Sequence, residues 1–97
     1  MPYAYLVVTM KINDMEKYKK YMAEAPAAVA AFGGEYIVRG GKHEVLEGDW
    51  KPARVALLRF PSYDKAKAFY DDAQYRKARE HRKGTTEYFN MVLVEGV

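Results

Sequence analysis

Two segments of the chain are apolar on both of their alternating faces, and this feature limits the folds that the chain can adopt. In residues 3–12, YAYLVVTMKI, one alternating set is wholly apolar and the other stays apolar up to Thr9. Residues 53–60, ARVALLRF, are again apolar on both faces. A strand of this type is covered on both sides. We therefore expect both segments to be central strands of one sheet.

A helix is predicted between the first of these strands and Gly33-Gly34. Asn13 or Asp14 is expected to cap its start, and one of the two glycines is expected to end it in the left-handed region. Pro26 lacks an amide donor and clashes with the preceding turn, which predicts a kink or a restart. An apolar stripe at steps of three and four faces the core. Its members are Met15, Tyr18, Met22, Ala25, Val29 and Phe32.

A second helix is predicted from Ser62 to Gly84. Its first apolar stripe does not continue in phase into the second half, so we expect the helix to break near Asp71-Asp72. The first stripe consists of Ala66, Phe69, Tyr70 and Ala73, and the second set consists of Tyr75, Ala78 and Arg82.

Further strands are predicted at residues 35–39 and 87–95, so the order of elements is β-α-β-β-α-β. This order is the split βαβ pattern of ferredoxin-like domains. The 97 residues form one domain by length, residues 1–97. We predict an α+β fold, with an antiparallel sheet and two helices on one face.

The sheet face that the helices leave uncovered also carries Tyr, Val and Leu, and a second copy of the chain is the simplest cover for it. Residues 35–47 are too many to pair fully with the strand at 54–60. A bulge at Gly40-Gly41 would keep the second half of that segment in the hairpin and send the first half to the partner. The alternative is a tight hairpin turn at the two glycines. Trp50, in the following turn, is assigned to the dimer interface.

Charge and composition exclude several classes of function. The net charge is +3, but acids are interleaved with bases, and the basic cluster at residues 76–83 is interpreted as a solvated helix face, not a nucleic-acid site. Cysteines are absent. His43 and His81 have no metal-ligand spacing, so neither a metal nor a cofactor is predicted. Without an apolar leader or a long apolar run, we expect a cytoplasmic protein that has no membrane partner.

Four side chains are candidates for ligand contacts or for structural roles. Arg39 and Arg59 lie in apolar strands, where a guanidinium needs either an anionic ligand or an ion pair, with Glu35, Glu87 or an acid of a partner chain. Tyr70 and Tyr75 flank the predicted helix break. They either line a cavity between helix and sheet or fill the core with the hydroxyl group reaching water.

The segment from Gly33 to Asp71 contains the motifs RGG, LEGDW-x-P and FPS-x-x-x-A-x-x-FY, and the chain ends in MVLVEGV. With these motifs the chain resembles the domain of unknown function 1330 family. The family is similar in architecture to dimeric α/β-barrel proteins, which include cofactor-free monooxygenases and isomerases. The chain departs from the family pattern at residues 72–74, Asp-Ala-Gln, where Ser-Pro-Glu is frequent.

The resemblance implies a ferredoxin-like homodimer and leaves two functions open. In the first, the protein binds or transforms a small organic molecule in a pocket between sheet and helices, with Arg39, Tyr70 and Tyr75 as contacts. In the second, it is a non-catalytic dimeric binding or regulatory module. An open pocket of several hundred cubic ångströms favours the first, and a cavity filled by the chain's own side chains favours the second.

Overall fold

The computed structural model describes residues 2–97, which form four strands and three helices. In chain order the elements are β1 (Ala4–Ile12), α1 (Met15–Ala31), β2 (Glu35–Arg39), β3 (Arg54–Phe60), α2 (Tyr63–Asp71), α3 (Ala73–Glu80) and β4 (Thr86–Glu95). The strands form one antiparallel sheet in the order β2-β3-β1-β4. The predicted ferredoxin-like fold is confirmed, and β1 and β3 are its central strands. None of the helices in residues 2–97 is long and apolar enough to cross a membrane.

The core lies between the helices and one face of the sheet. Alternate residues of β1 and β3 point into it, and the side chains of Leu6, Val8 and Leu58 are almost fully buried there. Helix α1 contributes Tyr18, Ala25 and Val29 from the predicted stripe, whereas Met15 at its start is exposed. Tyr21 and Ala28, which the predicted stripe omits, are buried as well.

Helix α1 runs without a restart through Pro26. Asp14 caps its start by accepting a hydrogen bond from the Lys17 amide at 3.1 Å. Gly33, at a φ of 75°, provides the left-handed turn that follows the helix. The cap and the end of this helix therefore agree with the sequence, and of the two outcomes predicted at Pro26, a kink or a restart, the restart does not occur.

The second predicted helix is divided into α2 and α3, so three helices, not two, cover the sheet. Asp72 separates them in an extended conformation, with φ −67° and ψ 145°. Its side chain accepts a hydrogen bond from the Gln74 amide at 2.9 Å and thereby caps α3. The predicted break is confirmed at Asp72, and it forms without the proline that is frequent in the family pattern.

The segment of residues 35–47 follows neither of the two predicted courses, a bulge or a tight turn at Gly40-Gly41. It is the first half, Glu35–Arg39, that pairs with β3, while residues 42–47 form no strand. The bulge lies between Tyr36 and Val38, not at Gly40-Gly41. Gly40 donates its amide to the Val55 carbonyl at 2.9 Å and then turns the chain away from the sheet at a φ of 70°. A long connection, residues 40–53, therefore replaces the predicted second half-strand and the alternative tight turn.

The sheet face opposite the helices is largely apolar. Val7 of β1 pairs with Leu57 of β3 and Val92 of β4 on this face. No helix within residues 2–97 lies over it, and Val92 is 57% exposed. Arg59 forms an ion pair with Glu35 here, as the structural interpretation of that arginine predicted.

Candidate functional site

A pocket lies between α1 and the helix-covered face of the sheet, and every strand and helix contributes to its wall. Valine, leucine, methionine and phenylalanine side chains make up most of the surface. The enclosed space is small, about 40 Å³, and the depression reaches about 500 Å³ when the space open to solvent is counted. The enclosed part has room for about three water molecules. The polar groups of the wall are Tyr18, Tyr21, Tyr36, Tyr75, Arg39 and Arg54.

Two tyrosines and an arginine form a hydrogen-bonded cluster at this pocket. The hydroxyl oxygens of Tyr21 and Tyr75 are 2.6 Å apart, and both side chains are buried, with 9% and 1% of their surface exposed. Arg82 donates from Nη1 to both hydroxyl oxygens, at 3.2 and 3.0 Å. Its guanidinium carbon lies 3.7 Å from the centre of the Phe89 ring, a cation–π contact. The cluster joins α1, α3 and β4 around one charged group.

The cluster has one more hydroxyl proton than it uses. Two neutral phenols carry two O–H donors, but the contact between Tyr21 and Tyr75 uses only one of them. Arg82 has no acceptor atom, so it cannot take the second proton. Neither hydroxyl has a further hydrogen-bond partner in residues 2–97. One phenolic O–H in the pocket is therefore available to a carbonyl or hydroxyl oxygen of a bound molecule.

Burial raises the pKa of three of the pocket tyrosines. It is the main cause that raises the pKa of Tyr21 far above its ordinary value, and the neighbouring Tyr75 adds to the effect. Burial also raises the pKa of Tyr36 to about 12, although Arg39 opposes the shift. The pKa of Tyr18 is raised by burial and lowered in part by Arg82, Arg54 and Arg39. At neutral pH these phenols donate and accept hydrogen bonds but carry no charge.

The bulge in β2 places Tyr36 and Arg39 on the same face of the sheet. In a regular strand, residues three apart point to opposite faces. The extra residue between Tyr36 and Val38 restores the phase, and Arg39 pairs with Ala56 on the pocket side. The Arg39 guanidinium carbon then lies 4.5 Å from the centre of the Tyr36 ring. A positive charge is thereby brought to the pocket instead of to the opposite face.

Pro26 explains how Arg39 is held. In a regular helix the amide of residue 26 would donate to the carbonyl of Met22, and proline has no such amide. The Arg39 Nη2 atom donates to that carbonyl oxygen at 3.2 Å. A proline in the middle of α1 thus leaves an acceptor at the pocket, and the arginine uses it.

Gly40 explains how Arg54 is placed. A Cβ atom at position 40 would lie 2.6 Å from the guanidinium carbon of Arg54 and 2.7 Å from two of its nitrogens. The backbone at Gly40 also adopts a φ of 70°, which side chains rarely tolerate. The glycine therefore provides both the turn after β2 and the space in which the Arg54 side chain lies.

Comparison with protein families decides the relationship of the chain. The family model of the Domain of unknown function (DUF1330) matches residues 3–97. The chain belongs to the DUF1330 family. Comparison with curated protein sequences found no match.

Solved structures with the same fold come from several bacteria. A protein of unknown function from Rhodopseudomonas palustris is 18% identical with a TM-score of 0.80, and the match covers 99% of this DUF1330 chain and 83% of that one. A dimeric ferredoxin-like protein of unknown function from Jannaschia sp. CCS1 is 16% identical with a TM-score of 0.70, over 96% and 98% of the two chains. A protein provisionally assigned as an antibiotic biosynthesis monooxygenase, from Caulobacter crescentus CB15, is 16% identical with a TM-score of 0.69, over 99% and 91%. At these identities the likeness concerns the fold.

The structure brings two of the three predicted ligand contacts of this DUF1330 protein together. Arg39 and Tyr75 both line the pocket. Tyr70 borders a separate groove between α2 and β4, where Arg79 stacks on its ring at 4.1 Å. His43 donates a hydrogen bond from Nε2 to the Pro52 carbonyl at 2.8 Å, and His81 contacts Glu24 at 2.7 Å. Within residues 2–97 no three side chains of metal-binding type lie together.

Sequence reasoning missed several residues of the pocket and of the hydrogen-bonded cluster beside it. Arg82 was placed in a solvated basic cluster, although its spacing from Tyr75 and Ala78 already put it on the buried side of that segment. Tyr21 is the residue before Met22 of the predicted stripe, and no other feature of the sequence marked it as a pocket residue. The side chains of Tyr36 and Arg54 face the helices, whereas their neighbours in the strands face the other side of the sheet. The bulge in β2 and the space at Gly40 explain the roles of these two residues, and neither feature could be predicted from the sequence.

Proposed function

We propose that this DUF1330 protein binds a small organic molecule in the pocket between α1 and the sheet, as a homodimer with one pocket in each protomer. The observation that carries the proposal is the buried pair of Tyr21 and Tyr75 with its unused phenolic proton. An unused donor in an apolar pocket fixes the orientation of a ligand that has a matching oxygen. Arg39 and Tyr75 are the predicted contacts that this pocket contains.

The homodimer is supported by the apolar sheet face and by the relatives. Val92 and Val94 are exposed on the uncovered face, and neighbours of the same fold are described as dimeric. Burying such a face against a second copy would stabilise the pair by removing apolar surface from water. We also assign Trp50, which is 65% exposed, and the Gly40-Gly41 turn to the interface between the copies.

A second candidate is a non-catalytic dimeric module that acts through association. The small enclosed space of about 40 Å³ favours it, because a molecule larger than a few waters enters only if side chains at the mouth move. The two candidates therefore differ in whether the pocket opens for a ligand.

The methionines of the chain provide a direct test. Met10, Met22 and Met91 line the pocket, whereas Met15 lies outside it and is exposed. We expect some members of a panel of small aromatic and aliphatic acids, amides and alcohols to shift the isotope-labelled methyl resonances of the three pocket methionines and not that of Met15. Tyr75→Phe should weaken this binding, and Tyr63→Phe, outside the pocket, should not. Shifts at no methionine, or equally at all four, would reject the pocket and leave the non-catalytic module.

A further inference from the structure

We propose that the ligand is a small organic carboxylate whose anionic group is bound by Arg39 and Arg54 and whose apolar body enters the pocket toward Tyr21 and Tyr75. This inference rests on the proposed function, because it names the class of molecule that the same pocket takes.

The charged groups of the pocket wall are all positive. Arg39 and Arg54 both line the pocket, and no aspartate or glutamate does. The ion pairs within residues 2–97 involve Lys11, Arg59, His81 and Lys83, so neither pocket arginine has an acidic partner there. Two guanidinium groups beside apolar walls favour an anion, and a planar carboxylate matches the guanidinium fork.

The backbone holds one of the two guanidinium groups in place and leaves room for the other. Arg39 is held by the Met22 carbonyl that Pro26 leaves free, and it lies over the Tyr36 ring. The side chain of Arg54 occupies the space that the missing Cβ of Gly40 provides. The contacts of Arg39 lower the conformational cost of binding, since this side chain is ordered before the ligand arrives.

The apolar wall and the Tyr21–Tyr75 pair indicate the chemistry of the rest of the ligand. The wall beyond the arginines is made of methionine, valine and aromatic side chains, which bind an apolar or aromatic body. At the Tyr21–Tyr75 pair, the unused O–H is available to a carbonyl or hydroxyl oxygen. Arg82 already donates to both phenolic oxygens, so we place the carboxylate at the other two arginines.

The experiment compares acids with their neutral counterparts. Benzoate, cyclohexanecarboxylate and butanoate are each titrated beside the corresponding primary amide, with the pocket methionine resonances as the readout. We expect at least one acid to bind about tenfold or more tightly than its amide, the scale of one charge-assisted hydrogen bond. Arg54→Gln should remove most of that preference and leave the affinity for the amide nearly unchanged.

Gly40→Ala tests the placement of Arg54 separately. The added methyl group would displace the guanidinium, and we expect the acid preference to fall severalfold. Gly48→Ala is the matched control, because Gly48 has a φ of 89° but nothing within 4 Å of its Cβ position. It imposes a similar backbone strain without touching Arg54, so it should lower stability and preserve the preference. Thermal unfolding of both variants shows whether they fold.

The possible outcomes distinguish a failure of the carboxylate assignment from a failure of the pocket proposal. If the acids and amides bind equally, or if Arg54→Gln weakens both alike, the carboxylate assignment is wrong while the pocket proposal stands. If Gly48→Ala lowers the acid preference as much as Gly40→Ala does, the role of Gly40 in placing Arg54 is wrong. If none of the six compounds moves a pocket methionine, this inference fails, and the pocket proposal fails with it when the alcohols of the wider panel move none either.

Discussion

At the scale of single residues, burial raises the pKa of one phenol of the pocket, that of Tyr21. Tyr21 is buried, contacts Tyr75 and accepts a hydrogen bond from Arg82. Its hydroxyl group is thus hydrogen-bonded without being charged, as a buried polar group requires. The same arrangement makes the protein sensitive to alkaline pH.

We expect the free energy of unfolding to fall above about pH 10. Burial raises the pKa of Tyr21 in the folded state above its ordinary value of 10.0, so the unfolded chain loses this proton first. Stability from this group is complete below pH 10 and declines as pH rises, by about 1.4 kcal/mol per pH unit for one tyrosine. Denaturant unfolding at a series of pH values measures the slope.

Tyr21→Phe should reduce that slope and lower stability at neutral pH by about 1–2 kcal/mol, because Tyr75 and Arg82 lose a partner. Tyr63→Phe, at an exposed residue, should leave the curve unchanged. An unaltered alkaline slope in Tyr21→Phe would show that Tyr21 is not the group responsible.

At the scale of elements, the break between α2 and α3 shows that a capping aspartate can separate two helices without the proline that is frequent in the family pattern. Asp72 has the extended conformation that a residue before proline requires, and its side chain caps α3. The following position, Ala73, is the first residue of α3, where proline is well tolerated.

Ala73→Pro should therefore raise the free energy of unfolding by about 0.4–1 kcal/mol, since proline restricts the unfolded chain. Gln74→Pro is the matched control: it removes the amide that donates to Asp72, and it should destabilise the protein. Thermal unfolding of the two variants compares them directly. A loss of stability in Ala73→Pro equal to that in Gln74→Pro would contradict the assignment of the helix start.

The elements also show what the sequence allowed us to predict. The strands at β1 and β3, the cap at Asp14 and the break at Asp72 follow from periodicity and local propensity, and all were predicted. The course of residues 40–53 was not, because Gly40 turns the chain away from the sheet, whereas the sequence predicted a bulge or a tight hairpin turn there. The pocket was predicted only at Arg39 and Tyr75, since Tyr21 and Arg82 meet across 61 residues of sequence.

At the scale of the whole molecule, the apolar sheet face supports association with a second copy. The central strands present Val7 and Leu57 there, and β4 adds Val92 and Val94. A surface of this type on a small domain marks a site of interaction.

Val92→Lys should shift the protein toward monomer, because the charge would be buried between two apolar sheets. Met15→Lys is the control: Met15 is an exposed apolar residue on α1, away from that face. Sedimentation at several protein concentrations measures the association of each variant. If the unmodified protein is a monomer at micromolar concentration, or if both variants associate alike, the proposed interface is wrong.

The extra residue in β2 has an evolutionary consequence. Arg39 faces the pocket only because the strand is out of step by one position between Tyr36 and Val38. A homologue that keeps arginine at this position but lacks the irregularity would direct the charge to the sheet face opposite the helices. Loss or gain of one residue here would thus move the charge from one side of the sheet to the other, so matching amino acids alone would not identify relatives that share this arrangement.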